Sequence, residues 1–80
     1  MTAYFLKCRV QPGLFSDEVV VEVFSNAGET LSFIVPKSLV VGNNKVQVTV
    51  TNIGRSAFVK LPTPNPESVI EVRKEDLVNA

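Results

Sequence analysis

The chain has 80 residues, 45% of them hydrophobic and 20% charged, with eight basic and eight acidic side chains, no histidine and one cysteine. This length suits a single domain, residues 1–80, with a core near the lower limit of self-sufficiency, and the composition excludes a disordered polar chain. Zero net charge provides no general field for phosphate backbones, which disfavours nucleic acid as a partner, and the lone Cys8 excludes the disulfide framework of a small secreted scaffold.

Residues 3–11 alternate. Tyr4, Leu6, Cys8 and Val10 fall on one face, with Phe5, Lys7, Arg9 and Gln11 on the other. That period of two predicts a first strand, ended by Pro12-Gly13 and a loop running to about Asp17. A hairpin follows. Val19, Val21 and Val23 point one way and Val20, Glu22 and Phe24 the other, and Leu31, Phe33 and Val35 then alternate with Thr30, Ser32 and Ile34. Ser25-Asn26-Ala27-Gly28-Glu29 suits a three-residue connection in which Gly28 supplies a positive φ. With Ser25 facing Glu29, the inner pairs are Val23–Leu31, Val21–Phe33 and Val19–Val35. The outer pairs are Phe24–Thr30, Glu22–Ser32 and Val20–Ile34.

Pro36 ends the third strand because it cannot donate to a ladder. Residues 37–40 are expected to form a 3₁₀ turn, and Gly42-Asn43-Asn44 a second turn. A fourth strand carries Val46, Val48 and Val50 inward. Gly54-Arg55 fits a two-residue turn with glycine first, pairing Ile53 with Ser56 and, farther back, Thr51 with Phe58, Val50 with Val59, Thr49 with Lys60 and Val48 with Leu61. Residues 62–68, Pro-Thr-Pro-Asn-Pro-Glu-Ser, predict an extended, polyproline-like loop. Residues 69–73 form a last strand with Ile70 and Val72 inward, and residues 74–77 a turn that tucks Leu77 in.

Five or six short antiparallel strands without a long helix indicate an all-β fold: an SH3-like barrel, or alternatively an OB-like barrel or small β-sandwich. The segment Phe33-Ile34-Val35-Pro36-Lys37-Ser38-Leu39-Val40 resembles the Val-Pro-x-x-Leu/Tyr-Val stretch that ends many SH3 domains. The resemblance implies a 3₁₀ turn leading into a closing strand, and no function.

Conventional catalysis lacks its usual groups. Without histidine the commonest acid–base residue and metal ligand is missing, a single cysteine excludes a thiolate zinc site, and the four glycines are isolated, so no phosphate-cradling loop exists. No enzyme, cofactor or metal is therefore expected. Asp17-Glu18 and Glu71, Glu75 and Asp76 read as solvated, salt-bridged surface, Arg73 and Lys74 being the natural partners of the second group. Cys8 reads as a small buried hydrophobe between Leu6 and Val10. Met1-Thr2-Ala3-Tyr4-Phe5-Leu6-Lys7 lacks a basic leader followed by an apolar run, and no stretch approaches the roughly 20 apolar residues of a spanning helix; no membrane association and a cytoplasmic location are expected.

Placing Lys7 opposite Glu22 also sets Phe5 against Phe24 and Arg9 against Val20 on the outside, with Leu6–Val23, Cys8–Val21 and Val10–Val19 inside. The outer face then gathers Phe5, Phe24, Val20 and Ile34, more apolar than a solvated exterior needs. Either the proline loop or the C-terminal residues cover it, or it is a contact surface. Phe15 is expected as a plug of the barrel end or as an exposed anchor. The leading expectation is a non-catalytic binding or assembly module that contacts a protein partner, or itself as a homodimer, through Phe5, Phe24, Val20 and Ile34. The alternative is a small nucleic-acid-associated barrel using Lys45, Lys60 and the outward Phe58. A further possibility makes residues 62–66 a docking peptide.

Overall fold

The computed structural model describes residues 4–63 and 68–79. Among them are nine strands: β1 (Tyr4–Lys7), β2 (Arg9–Pro12), β3 (Glu18–Phe24), β4 (Thr30–Pro36), β5 (Val40–Val41), β6 (Lys45–Ile53), β7 (Ala57–Leu61), β8 (Ser68–Val72) and β9 (Leu77–Asn79). All pairings are antiparallel. The only helical elements in this region are 3₁₀ turns at Lys37–Leu39 and Lys74–Asp76, so no helix is long and apolar enough to cross a membrane. One sheet runs β8-β7-β6-β1-β9 with β5 also on β6, and a second holds β2-β3-β4.

The β3–β4 hairpin has the register expected from its alternation, from Val19–Val35 through Phe24–Thr30. Ser25 N–H donates to Glu29 O at 2.8 Å, and Gly28 takes φ 85°, a conformation that disfavours any residue with a Cβ. The chain then makes a 3₁₀ turn after Pro36, one residue shorter than expected, before β5. Gly42 and Asn43 both adopt left-handed φ, 65° and 62°, which turns β5 back into β6.

Three expectations need correction. The first strand is broken at Cys8, and its halves serve different sheets: β1 pairs with β6 and β9, and β2 with β3. The β2–β3 register is two residues away from the expected one, with Arg9 opposite Glu22, Val10 opposite Val21 and Gln11 opposite Val20. A slip of two keeps every side chain on its face, so burial patterning does not oppose it. In the β6–β7 hairpin, Thr49–Lys60 and Val50–Val59 pair as expected, but a bulge at Thr51 moves Asn52 opposite Phe58 and Ile53 opposite Ala57. The turn therefore holds three residues, and Gly54 does not take a positive φ. The Thr51 hydroxyl, left out of the ladder, donates to Phe58 O at 3.1 Å. Most of the expected polyproline segment, residues 64–67, lies outside the described residues.

The core consists of Leu6, Val19, Val21, Val23, Val35, Val46, Val48, Ala57, Val59, Leu61 and Val72, with Tyr4, Cys8, Val10, Phe33, Ile70 and Leu77 packed against it. Full burial of each valine or leucine is worth about 1.5–3 kcal/mol, against the chain entropy that ordering costs. As parity requires, residues 19, 21, 23 and 35 are shut in.

The two halves of the chain follow one path. Strand, hairpin, 3₁₀ turn and short strand occur as β1/β2-β3-β4-turn-β5 and again as β6-β7-β8-turn-β9. An approximate twofold axis passes between Leu6 and Val46, which face each other. Lys7–Lys45 on one side of it corresponds to Phe5–Gln47 on the other, and Tyr4–Val48 to the bond from Cys8 N–H to Asn44 O at 2.9 Å. Each half lends its last strand to the other: β5 lies on β6, and β9 on β1. Inner residues correspond as apolar pairs, Val10 with Val50, Val21 with Val59, Phe33 with Ile70 and Val35 with Val72. Asn26 N–H donates to Glu71 O at 2.8 Å, so the tip of the first hairpin rests on the edge strand of the second half.

Candidate functional site

The outer face of the β2-β3-β4 sheet is built in rows. Gln11–Val20–Ile34 forms one, Arg9–Glu22–Ser32 the next, and Phe24–Thr30 lies beyond them at the tip of the hairpin. Val20 and Ile34 are thus direct neighbours, while the Glu22 row separates both from Phe24. Gln11, not Lys7, engages Glu22, its Nε2 donating to Glu22 Oε1 at 2.9 Å. Phe24 is 42% exposed and Ile34 47%. Neither is buried beneath another segment among the described residues, although Ile34 borders a cleft of about 410 Å³ whose far wall includes Pro62 and Thr63.

Phe5 does not join this surface. It sits on β1 in the other sheet, between Gln47 of β6 and Val78 of β9, and is half-buried. The expected Phe5–Phe24 pair is absent because the break at Cys8 takes residues 4–7 away from β3. Of the four expected contact residues, Val20 and Ile34 come together, Phe24 stands apart on the same face, and Phe5 belongs elsewhere.

The β2–β3 loop adds what the strand pattern did not reveal. Leu14 is 92% exposed and Phe15 64%, so Phe15 is an exposed side chain and not a plug. Their backbone is held in place: Glu18 N–H donates to Phe15 O at 3.2 Å and Lys37 N–H to Asp17 O at 2.9 Å. Beneath them lies a cleft of about 620 Å³ lined by Val10, Gln11, Pro12, Leu14, Phe15 and Lys37, among others. The equivalent turn of the second half, residues 54–56, is shorter, so Leu14 and Phe15 occupy added length. This loop projects from the end of the sheet where Val20 and Ile34 lie, since the Glu18–Pro36 pair separates them by a single row. The readable signal was two large apolar residues in a segment too irregular to bury them.

Cys8 packs against the core, and desolvation pushes its thiol up to about 11, away from the thiolate that reactivity requires. Arg73 pairs with Glu75 at 3.5 Å and Asp76 at 3.4 Å, as the charge pattern suggested, and Ser56 Oγ donates to Glu71. Lys45, Lys60 and Phe58 point from the outer face of the larger sheet. Comparison with protein-family models, with curated proteins and with solved structures gave no match, which leaves surface geometry as the guide to function.

Proposed function

We propose that this chain is a non-catalytic binding and assembly module of SH3-like character that contacts a protein partner, foremost a second copy of itself, through one end of the β2-β3-β4 sheet. The supporting observation is the direct Val20–Ile34 pair on the outer face, with Ile34 47% exposed, beside a loop at the same end of the sheet that leaves Leu14 92% and Phe15 64% exposed. Scattered apolar exposure is ordinary, whereas a contiguous patch of several hundred Å² marks a contact site. A standard interface removes on the order of 800 Å² from each partner. Ile34 and Phe15 would serve as anchors, with Glu18 and Gln11 forming the polar rim. A cytoplasmic setting, with Cys8 reduced, fits this reading.

Sedimentation equilibrium of the wild type and of Ile34→Lys tests it. The wild type should show concentration-dependent mass above the monomer, and the variant should remain monomeric with its fold intact. A wild type that stays monomeric at every concentration removes self-association.

A further inference from the structure

We propose a second site, where the two sheets meet, that binds single-stranded nucleic acid: the Lys7–Lys45 pair together with the adjoining cleft at Cys8. The chain is neutral overall, yet four of its eight cations, Lys7, Arg9, Lys45 and Arg73, come near one another. Lys7 and Lys45 face each other in direct register across β1 and β6. Arg9 follows Lys7 by two residues, beyond the point where the strand leaves one sheet for the other. Arg73 comes from the second half to the same place, and Lys7, Cys8, Arg9, Phe24, Arg73 and Asp76 enclose a cleft of about 230 Å³. The one carboxylate lining that cleft, Asp76, is tied to Arg73 at 3.4 Å, and Glu22, opposite Arg9, accepts a hydrogen bond from Gln11.

Among the described residues, Lys7, Arg9 and Lys45 make no side-chain hydrogen bond or ion pair, although the chain contains as many acidic groups as basic ones. Like charges set directly opposite on a sheet repel, a cost without a structural return here. A bound polyanion offsets that repulsion. Phosphodiester is favoured over an acidic peptide because the Phe24 ring forms part of the same cleft and is partly open to solvent. Cations beside an exposed aromatic match a chain that alternates phosphate with flat bases, and base–aromatic stacking tolerates any sequence. A path continues along the outer face of β6 through Gln47 and Thr49 to Lys60 and Phe58 on β7. Of these residues, Arg9 and Phe24 lie on the outer face of the β2-β3-β4 sheet, Arg9 in the row next to Val20 and Ile34 and Phe24 at the far tip; apart from Cys8 at the break between β1 and β2, the others belong to the larger sheet or to the turn after β8.

The test is fluorescence anisotropy with a short labelled oligothymidylate at low and moderate salt, on wild type, Lys45→Glu, Phe24→Leu and, as a remote control, Lys37→Glu. The wild type should bind, more weakly as salt rises. Lys45→Glu should bind about tenfold or more weakly at low salt, and its plot of log affinity against log salt should be shallower by about 0.7 for each phosphate no longer neutralised. Because its new carboxylate faces Lys7, its melting temperature should hold or rise; if it fails to fold, Lys45→Gln provides the same readout. Phe24→Leu should weaken binding at an unchanged salt slope, and Lys37→Glu should bind like the wild type. Absence of salt-sensitive binding by the wild type, or unchanged affinity in Lys45→Glu, overturns the proposal. Equal displacement of the oligonucleotide by polyglutamate overturns it in favour of an acidic protein segment. A Leu14→Ser/Phe15→Ser variant separates the two sites, since it should retain oligonucleotide binding whatever its oligomeric state.

Discussion

Val21 faces Phe33 across β3 and β4, as Val59 faces Ile70 across β7 and β8, and the two pairs occupy equivalent places about the axis between Leu6 and Val46. Val21 and Val59 are fully buried. Truncating either to alanine should cost about 2 kcal/mol through lost transfer energy and the remaining void. Since a chain of this size has a total stability of only roughly 4–12 kcal/mol, the loss should be plain in urea melts. Near-equal costs at the two sites are expected from the matching halves.

Ile34 and Val35 are consecutive yet opposite in environment, one on the outer face and the other shut in the core. Ile34→Thr should change stability by less than about 1 kcal/mol, in the range of surface substitutions. Val35→Thr buries a hydroxyl without an evident partner and should cost about 1–3 kcal/mol. Equal costs at the two positions would mean that the outer face is covered.

Gly13 begins the loop that carries Leu14 and Phe15, and a Cβ built there would lie 2.6 Å from Glu18 O, a backbone atom. Gly13→Ala must therefore displace the β2–β3 connection, and it should destabilise the protein and weaken self-association together. Gly54→Ala, where nothing lies within 4 Å, is the matched control and should be nearly neutral in thermal melts.

Cys8 carries a thiol whose burial raises its pKa from 9.0 to about 11. The folded state favours the protonated form, so this contribution to stability is fully present below about pH 9 and is lost as pH rises through about 11. At neutral pH the thiolate fraction should be about a hundredfold below that of a free cysteine, and alkylation by iodoacetamide correspondingly slow. Labelling as fast as that of an unfolded control would place Cys8 in solvent.

Side-chain parity was legible from alternation alone. Val19, Val21, Val23 and Val35 point inward as the pattern demands, and Ser25 to Glu29 makes the turn that Gly28 suggested. Register between distant strands was not legible, because a period-two pattern is unchanged by a slip of two; Lys7 and Arg9 alike set a cation opposite Glu22. The break at Cys8 carries no glycine or proline to announce it, and β5 and β9 are too short to show any period. The twofold likeness of the halves rests on inner apolar positions, where many residues are interchangeable. Among the outer positions, Ile34 corresponds to Glu71 and Val20 to Phe58, which conceals it. Of the proposed contact surface, the Val20–Ile34 pair was readable, whereas the exposure of Leu14 and Phe15 depended on how a loop is held.

The most direct measurement is amide hydrogen exchange at low and high protein concentration. Docking through the end of the β2-β3-β4 sheet predicts that amides of residues 14–20 and 32–36 slow as concentration rises while those of residues 58–60 do not change. Exchange independent of concentration, or slowing confined to the larger sheet, would contradict it.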